Sequence, residues 1–177
     1  MHAMTRPPIA LIGIMGAGKS AVARELGYRL GVDAEDLDDM LEADVGCSIG
    51  EYFAREGEAA FRRREGELLR AAVDRGARVI ACGGGIVIDA AQRLLLLKRC
   101  HAVWLEVTIP EAWRRVAASG RVRPLLHGTA PEDTLAMLLA RRAALYSEVA
   151  RIRIATDGRS PRDIAGDVID SLAGNRA

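Results

Sequence analysis

Gly13 to Ser20 reads GIMGAGKS, which fits the spacing G-x-x-x-x-G-K-[ST] and follows the apolar run Ile9 to Ile14. Glycines at Gly13, Gly16 and Gly18 open backbone angles closed to other residues. Consecutive N–H groups of such a loop converge on phosphate oxygens, and the helix that follows adds its positive end. In this pattern Lys19 reaches the outer phosphates of a nucleotide and Ser20 binds Mg²⁺. Of the 25 basic residues only Lys19 and Lys98 are lysine, so a chain that otherwise writes Arg has Lys where the pattern needs it. The expected chemistry is nucleotide binding.

Other groupings are less specific. Asp36 and Asp38 share one face if the segment is extended and diverge if it is helical. Asp38 can then accept the proton of a substrate hydroxyl and Asp36 can hold Mg²⁺ through water, while the plain alternative is the carboxylate-rich start of a helix, DLDDMLE. FRRRE, Phe61 to Glu65, places three arginines roughly 100° apart on a helix, so at most one or two face a common site; a solvated charged face is the ordinary explanation. GGG at Gly83 to Gly85, after VIAC, marks either a close approach to a ligand or a tight turn. Because that strand ends in Gly, the carboxylate near the metal must come from elsewhere, and Asp36 is the available one. The stretch from Ser119 to Asp133 breaks helical periodicity and reads either as an ordinary polar loop or as a cover over the site, from which Arg121 or Arg123 can reach a transferred phosphoryl group. Glu106, ending the run AVWLE, is read as a strand terminus. Asn175 is the only asparagine and Gln92 the only glutamine, which argues against the guanine reader and catalytic glutamine of a GTPase.

These residues need a frame that brings them to one place. Runs at Ile9 to Ile14, Val79 to Cys82, Ala102 to Val107 and Ile152 to Ala155 are predicted as buried strands, with a short strand before Asp36. Helices are predicted near Lys19 to Leu30, Phe61 to Asp74, Asp89 to Lys98, Pro110 to Ala118, Pro131 to Tyr146 and Pro161 to Leu172. Strands separated by helices run mostly parallel, so the fold class is α/β, with candidate loops beyond the carboxyl ends of the strands. At 177 residues with net charge +1, the chain suits one domain, core about 9–172, and has no broad basic field for nucleic acid. Three cysteines and three histidines without ligand spacing predict a reduced compartment and no structural zinc. Without a membrane-length apolar run, a cytoplasmic location is expected.

Taken together, GIMGAGKS, the Asp36–Asp38 pair, SIGEYFAREGEAAFRRRE, GGG, VRPLLHG and ARRAALY resemble the shikimate kinases over about Ile9 to Leu172. The resemblance implies a three-layer P-loop fold with a five-stranded parallel sheet, and ATP-dependent phosphorylation of the 3-hydroxyl of shikimate in aromatic amino acid biosynthesis. It implies nucleotide contacts from Gly16, Ala17, Gly18, Lys19, Ser20 and Ala21, with Arg115 and Arg159 flanking the adenine. Ser20 and Asp36 are the implied metal residues. Lys19, Asp38 and Arg123 are implied as catalytic, Arg123 from a lid at about 119–131. Asp38, Arg62, Arg142 and Gly83, Gly84 and Gly85 are implied at the acceptor. The expected partners are ATP with Mg²⁺ and shikimate, with no nucleic acid or membrane, bound by a monomer. Two alternatives stay open: a kinase for another small polyol or sugar acid such as gluconate, and an ATP-binding regulatory module without transfer chemistry.

Overall fold

In the computed structural model the described residues are 6–120 and 130–174. Five strands, β1 (Ile9–Ile12), β2 (Ala34–Asp36), β3 (Val79–Ala81), β4 (His101–Glu106) and β5 (Ile152–Ala155), form one parallel sheet in the order β2-β3-β1-β4-β5. The helices are α1 (Lys19–Leu30), α2 (Leu37–Val45), α3 (Ile49–Asp74), α4 (Ala90–Arg99), α5 (Ile109–Ala118), α6 (Pro131–Val149) and α7 (Pro161–Gly174). The chain steps from β1 to the edge at β2, then returns through β3 to β4 and β5. Right-handed crossovers therefore put α1 on one face and α3, α4 and α6 on the other. Contacts of α1 with α7, and of α4 with both α3 and α6, agree with that division.

The reversal of direction has a consequence for function. It places a crevice at the carboxyl ends of β1 and β3, where parallel α/β sheets take their ligands. The loop after β1 is GIMGAGKS and the loop after β3 is GGG, so two of the three singled-out loops meet there by topology alone. Beneath them the sheet is fully inside: Ala10, Leu11, Ile12, Val79, Ile80 and Val103 are buried on a sheet covered on both faces, which gives continuous rather than alternating apolar strands.

Three differences from expectation bear on the site. β1 stops at Ile12, two residues early, because Gly13 turns the chain out at φ 140°. α2 begins directly after Asp36, so the helical alternative for DLDD is the one that forms. α3 starts twelve residues before Phe61, at Ile49, with Ser48 as its cap. The Ser48 hydroxyl accepts from the Glu51 N–H at 3.2 Å, and the Glu51 carboxylate accepts from Ser48 N–H at 2.9 Å, a capping box. Gly57, at φ 81° and ψ 171°, breaks the helix internally, and the two glycines at 50 and 57 lower the helical signal of that half. No helix among the described residues is long and apolar enough to cross a membrane.

Candidate active site

A cavity of about 1060 Å³ opens over the β1–β3 crevice. One wall is the GIMGAGKS loop. Gly18 caps α1 in the left-handed conformation with no side-chain cap, and no acidic residue occupies the first turn, so the positive helix end is left to an incoming anion. Gly16 sits at φ 83°, and a Cβ there would collide with the Ala112 carbonyl of α5; only glycine serves both demands. The Lys19 Nζ donates to Gly13 O at 2.8 Å and Ile14 O at 2.9 Å, folding the loop around its own ammonium. Met15, Gly16, Gly18, Lys19, Ser20 and Ala21 line the cavity, whereas Ala17 is fully buried under the loop.

Arg115 of α5 fastens this wall to the end of the sheet. It donates to Gly16 O at 3.2 Å and to Thr156 Oγ1 and O at 3.1 and 2.7 Å, and pairs with Glu111 at 2.7 Å. Hydrogen bonds from Arg114 and Arg115 hold the Glu111 carboxyl down at about 2. Arg159 does not line the cavity; its guanidinium donates to Ala155 O and pairs with Asp167. Arg121 and Arg123, with most of the expected lid at 119–131, lie outside the described residues, although Ser119 at its start lines the cavity.

Asp36 is both the last residue of β2 and the cap of α2: its Oδ1 accepts from the Asp38 N–H at 3.0 Å. Its Oδ2 is buried with no hydrogen-bond partner among the described residues. An orphaned oxygen of Asp36 and the hydroxyl of Ser20, two residues that line the same cavity, fit a hard divalent cation that would take its other ligands from water and phosphate. No cluster of three His, Cys, Asp or Glu exists among the described residues to make an all-protein cage. Asp38 lines the same cavity from the first turn of α2, while the neighbouring Asp39 is exposed.

The opposite wall is built from side chains. Arg62 of α3 is the one arginine of FRRRE that faces the cavity; Arg63 is exposed and Arg64 pairs with Asp44 and Glu67 at 2.6 Å. The Arg62 guanidinium lies 4.9 Å from the Phe61 ring centre and pairs with Glu65 at 3.0 Å and Glu58 at 3.3 Å. A Cβ on Gly85 would run into that guanidinium, and one on Gly83 would run into the Glu65 carboxylate, so the run of glycines is a close approach rather than a simple turn. Arg142 of α6, 5% exposed, donates to Gly84 O at 3.1 Å.

Glu65 has no place in the sequence expectations and is central here. It is 2% exposed, and burial raises its carboxyl above the ordinary range against the pull of Arg62, with Asp38 adding a further upward push. One oxygen, Oε1, is buried without a partner among the described residues. A signal for it exists in the sequence: Phe61, Glu65, Leu69 and Ala72 fall on one helical stripe, so an acid occupies a core register. Arg24 of α1 also lines the cavity without having been singled out, whereas Glu106 does not.

Comparisons with known proteins identify the family and the fold. The family model described as shikimate kinase matches residues 15–173. A shikimate kinase of Symbiobacterium thermophilum is 39% identical over 93% of this chain and 95% of its own, and one of Rhodococcus jostii 37% over 94% and 98%. Among solved structures, a shikimate kinase from Acinetobacter baumannii in complex with shikimate superposes with a TM-score of 0.93 at 37% identity, covering 97% of this chain and 96% of that one. A deoxyadenosine kinase from M. mycoides, 18% identical with a TM-score of 0.60, shares the fold. A family model that covers residues 15–173, with relatives 37–39% identical over more than nine-tenths of the chain, places the protein in the shikimate kinase family.

Proposed function

We propose that this protein transfers the γ-phosphoryl group of ATP to the 3-hydroxyl of shikimate, giving shikimate 3-phosphate and ADP. The observation that carries this is the shared cavity: Lys19 and Ser20 of the phosphate loop line the same space as Asp38, Arg62, Arg142 and the Gly83–Gly85 loop. Arg62 and Arg142 supply two planar cations for the shikimate carboxylate, with the glycine loop against the ring. That grip turns one hydroxyl of the acceptor toward the phosphate loop.

Phosphoryl transfer demands little covalent work from the protein and much positioning and charge stabilisation. In this role Asp38 orients the attacking hydroxyl and takes its proton. Lys19 exchanges its carbonyl partners, Gly13 O and Ile14 O, for the outer phosphate oxygens. Arg115 keeps Gly16 in place while this happens. Ser20 and Asp36 would hold Mg²⁺, which when bound neutralises the charge of the β- and γ-phosphates. Arg123 completes the set as the expected lid arginine.

The test is ADP release from Mg²⁺-ATP with and without shikimate, with Lys19→Ala as a control for contaminating kinases. Strong stimulation by shikimate that disappears in Lys19→Ala is expected. ATP binding without stimulation by shikimate, or stimulation by gluconate instead, would sink the acceptor assignment and leave the phosphate loop intact.

A further inference from the structure

Tyr146 stands outside every role given above, yet its surroundings tie it to the acceptor wall. The side chain is fully buried in α6, one helical turn beyond Arg142, and its ring lies 5.5 Å from that of Trp104 on β4. A phenol in such a place needs a partner. Its hydroxyl donates to Gly84 O at 2.5 Å, the same carbonyl that receives Arg142 Nη1 at 3.1 Å. Two donors from neighbouring turns of one helix thus converge on the middle residue of the glycine run.

We propose that Tyr146 is a positioning residue for acceptor binding: by holding Gly84 O toward α6 it turns the next N–H, that of Gly85, toward the acceptor side of the cavity. The step follows from the planar trans peptide, in which the carbonyl of one residue and the N–H of the next point in opposite directions. None of the peptide bonds among the described residues is cis, and Gly85 lines the cavity. The far end of the same loop is held too, since Arg93 donates to Val87 O and Ile88 O at 2.8 and 3.0 Å and lies 3.2 Å from Glu148 of α6. Glycine has no side chain with which to fix its own peptide plane, so the fixing comes from α6.

The arrangement separates Tyr146 from an ordinary core hydrogen bond. In the free protein Gly84 O has two donors, Tyr146 and Arg142, and the phenol also interacts with the Arg142 side chain. When Arg142 swings onto a carboxylate its contact with Gly84 O weakens, and Tyr146 becomes the donor that keeps the loop set. The cost of removing the hydroxyl is therefore paid mainly in the complex.

This inference rests on the acceptor being shikimate, and the test keeps the two apart. Tyr146→Phe keeps the ring and deletes only the oxygen. Calorimetric binding of shikimate to the wild-type protein and the variant is measured beside kinetics and thermal melting. A shikimate Kd and KM raised about tenfold are expected, with ATP KM and kcat within twofold and the melting temperature of the free protein lowered only slightly. Equal shikimate binding by the two proteins would overturn the proposal, as would parallel losses in ATP KM and melting temperature, the mark of general damage. Failure of the wild-type protein to bind shikimate would overturn the acceptor assignment itself and this inference with it.

Discussion

The two walls of the cavity are made in different ways. The nucleotide wall is one contiguous stretch whose backbone conformation does the work, pinned from outside by Arg115 and Ala112. The wall proposed for the acceptor gathers Asp38, Arg62, Glu65, Gly84 and Arg142 from four separate elements, with Glu65 and Arg142 buried. Backbone N–H groups recognise any polyphosphate, so the first wall suits a common donor. Side chains set at defined separations recognise one acceptor, so selectivity belongs to the second. Changes on either side should therefore separate cleanly in the kinetics.

The largest separation is expected at Asp38. Asp38→Asn keeps size and helix position but removes the proton acceptor, so kcat should fall by about 10³-fold while ATP affinity stays within twofold. Near-normal turnover would remove Asp38 from the chemistry. Gly16→Ala attacks the other wall: the added methyl meets the Ala112 carbonyl in a backbone conformation that disfavours L residues. A stability loss of about 3 kcal/mol and an ATP affinity lowered by at least about 100-fold are expected, read by melting and by nucleotide titration. Arg62→Ala should raise the shikimate KM by about 100-fold, since it also strands the buried Glu65, with the ATP KM unchanged. If both KM values rise together, the walls are not independent.

The smallest effect concerns Tyr146, whose phenol is pushed up to about 12 by burial. The unfolded chain ionises near its ordinary value of 10. The folded form therefore holds its proton longer, and this contribution to stability is fully present below about pH 10 and lost as pH rises to about 12. Melting temperature should drop across that window, and Tyr146→Phe should flatten the drop. An identical alkaline slope in both proteins would contradict the buried, donating phenol.

The same contrast explains what the sequence made legible. The phosphate loop is specified by local backbone demands, so Gly13 to Ser20 announced its position, and α1 runs over Lys19–Leu30 as predicted. Parallel order followed from alternation of strands and helices. Glu65 escaped because its role comes from a tertiary environment: the FRRRE run looks like a solvated charge cluster until α3 docks and buries one of its faces. The start of α3 escaped for a local reason, as Gly50 and Gly57 masked a capped helix. Asp36 and Asp38 both line the cavity even though DLDD forms the start of a helix rather than an extended segment. A strand end that also caps the next helix brings both to the cavity.

The sheet order carries a consequence for synthesis. Among the described residues β1 pairs with β3 and β4, Ile9 standing opposite Val79 and His101. The apolar IALI segment is thus translated well before either partner and must wait for them. At about 5–20 residues per second, that wait is roughly 5–20 s. During it, an unpaired β-prone run is open to association with other nascent chains. The strand that anchors phosphate recognition is also the one most exposed to misassembly while the chain is being made, and a chain released before His101 would carry that hazard permanently.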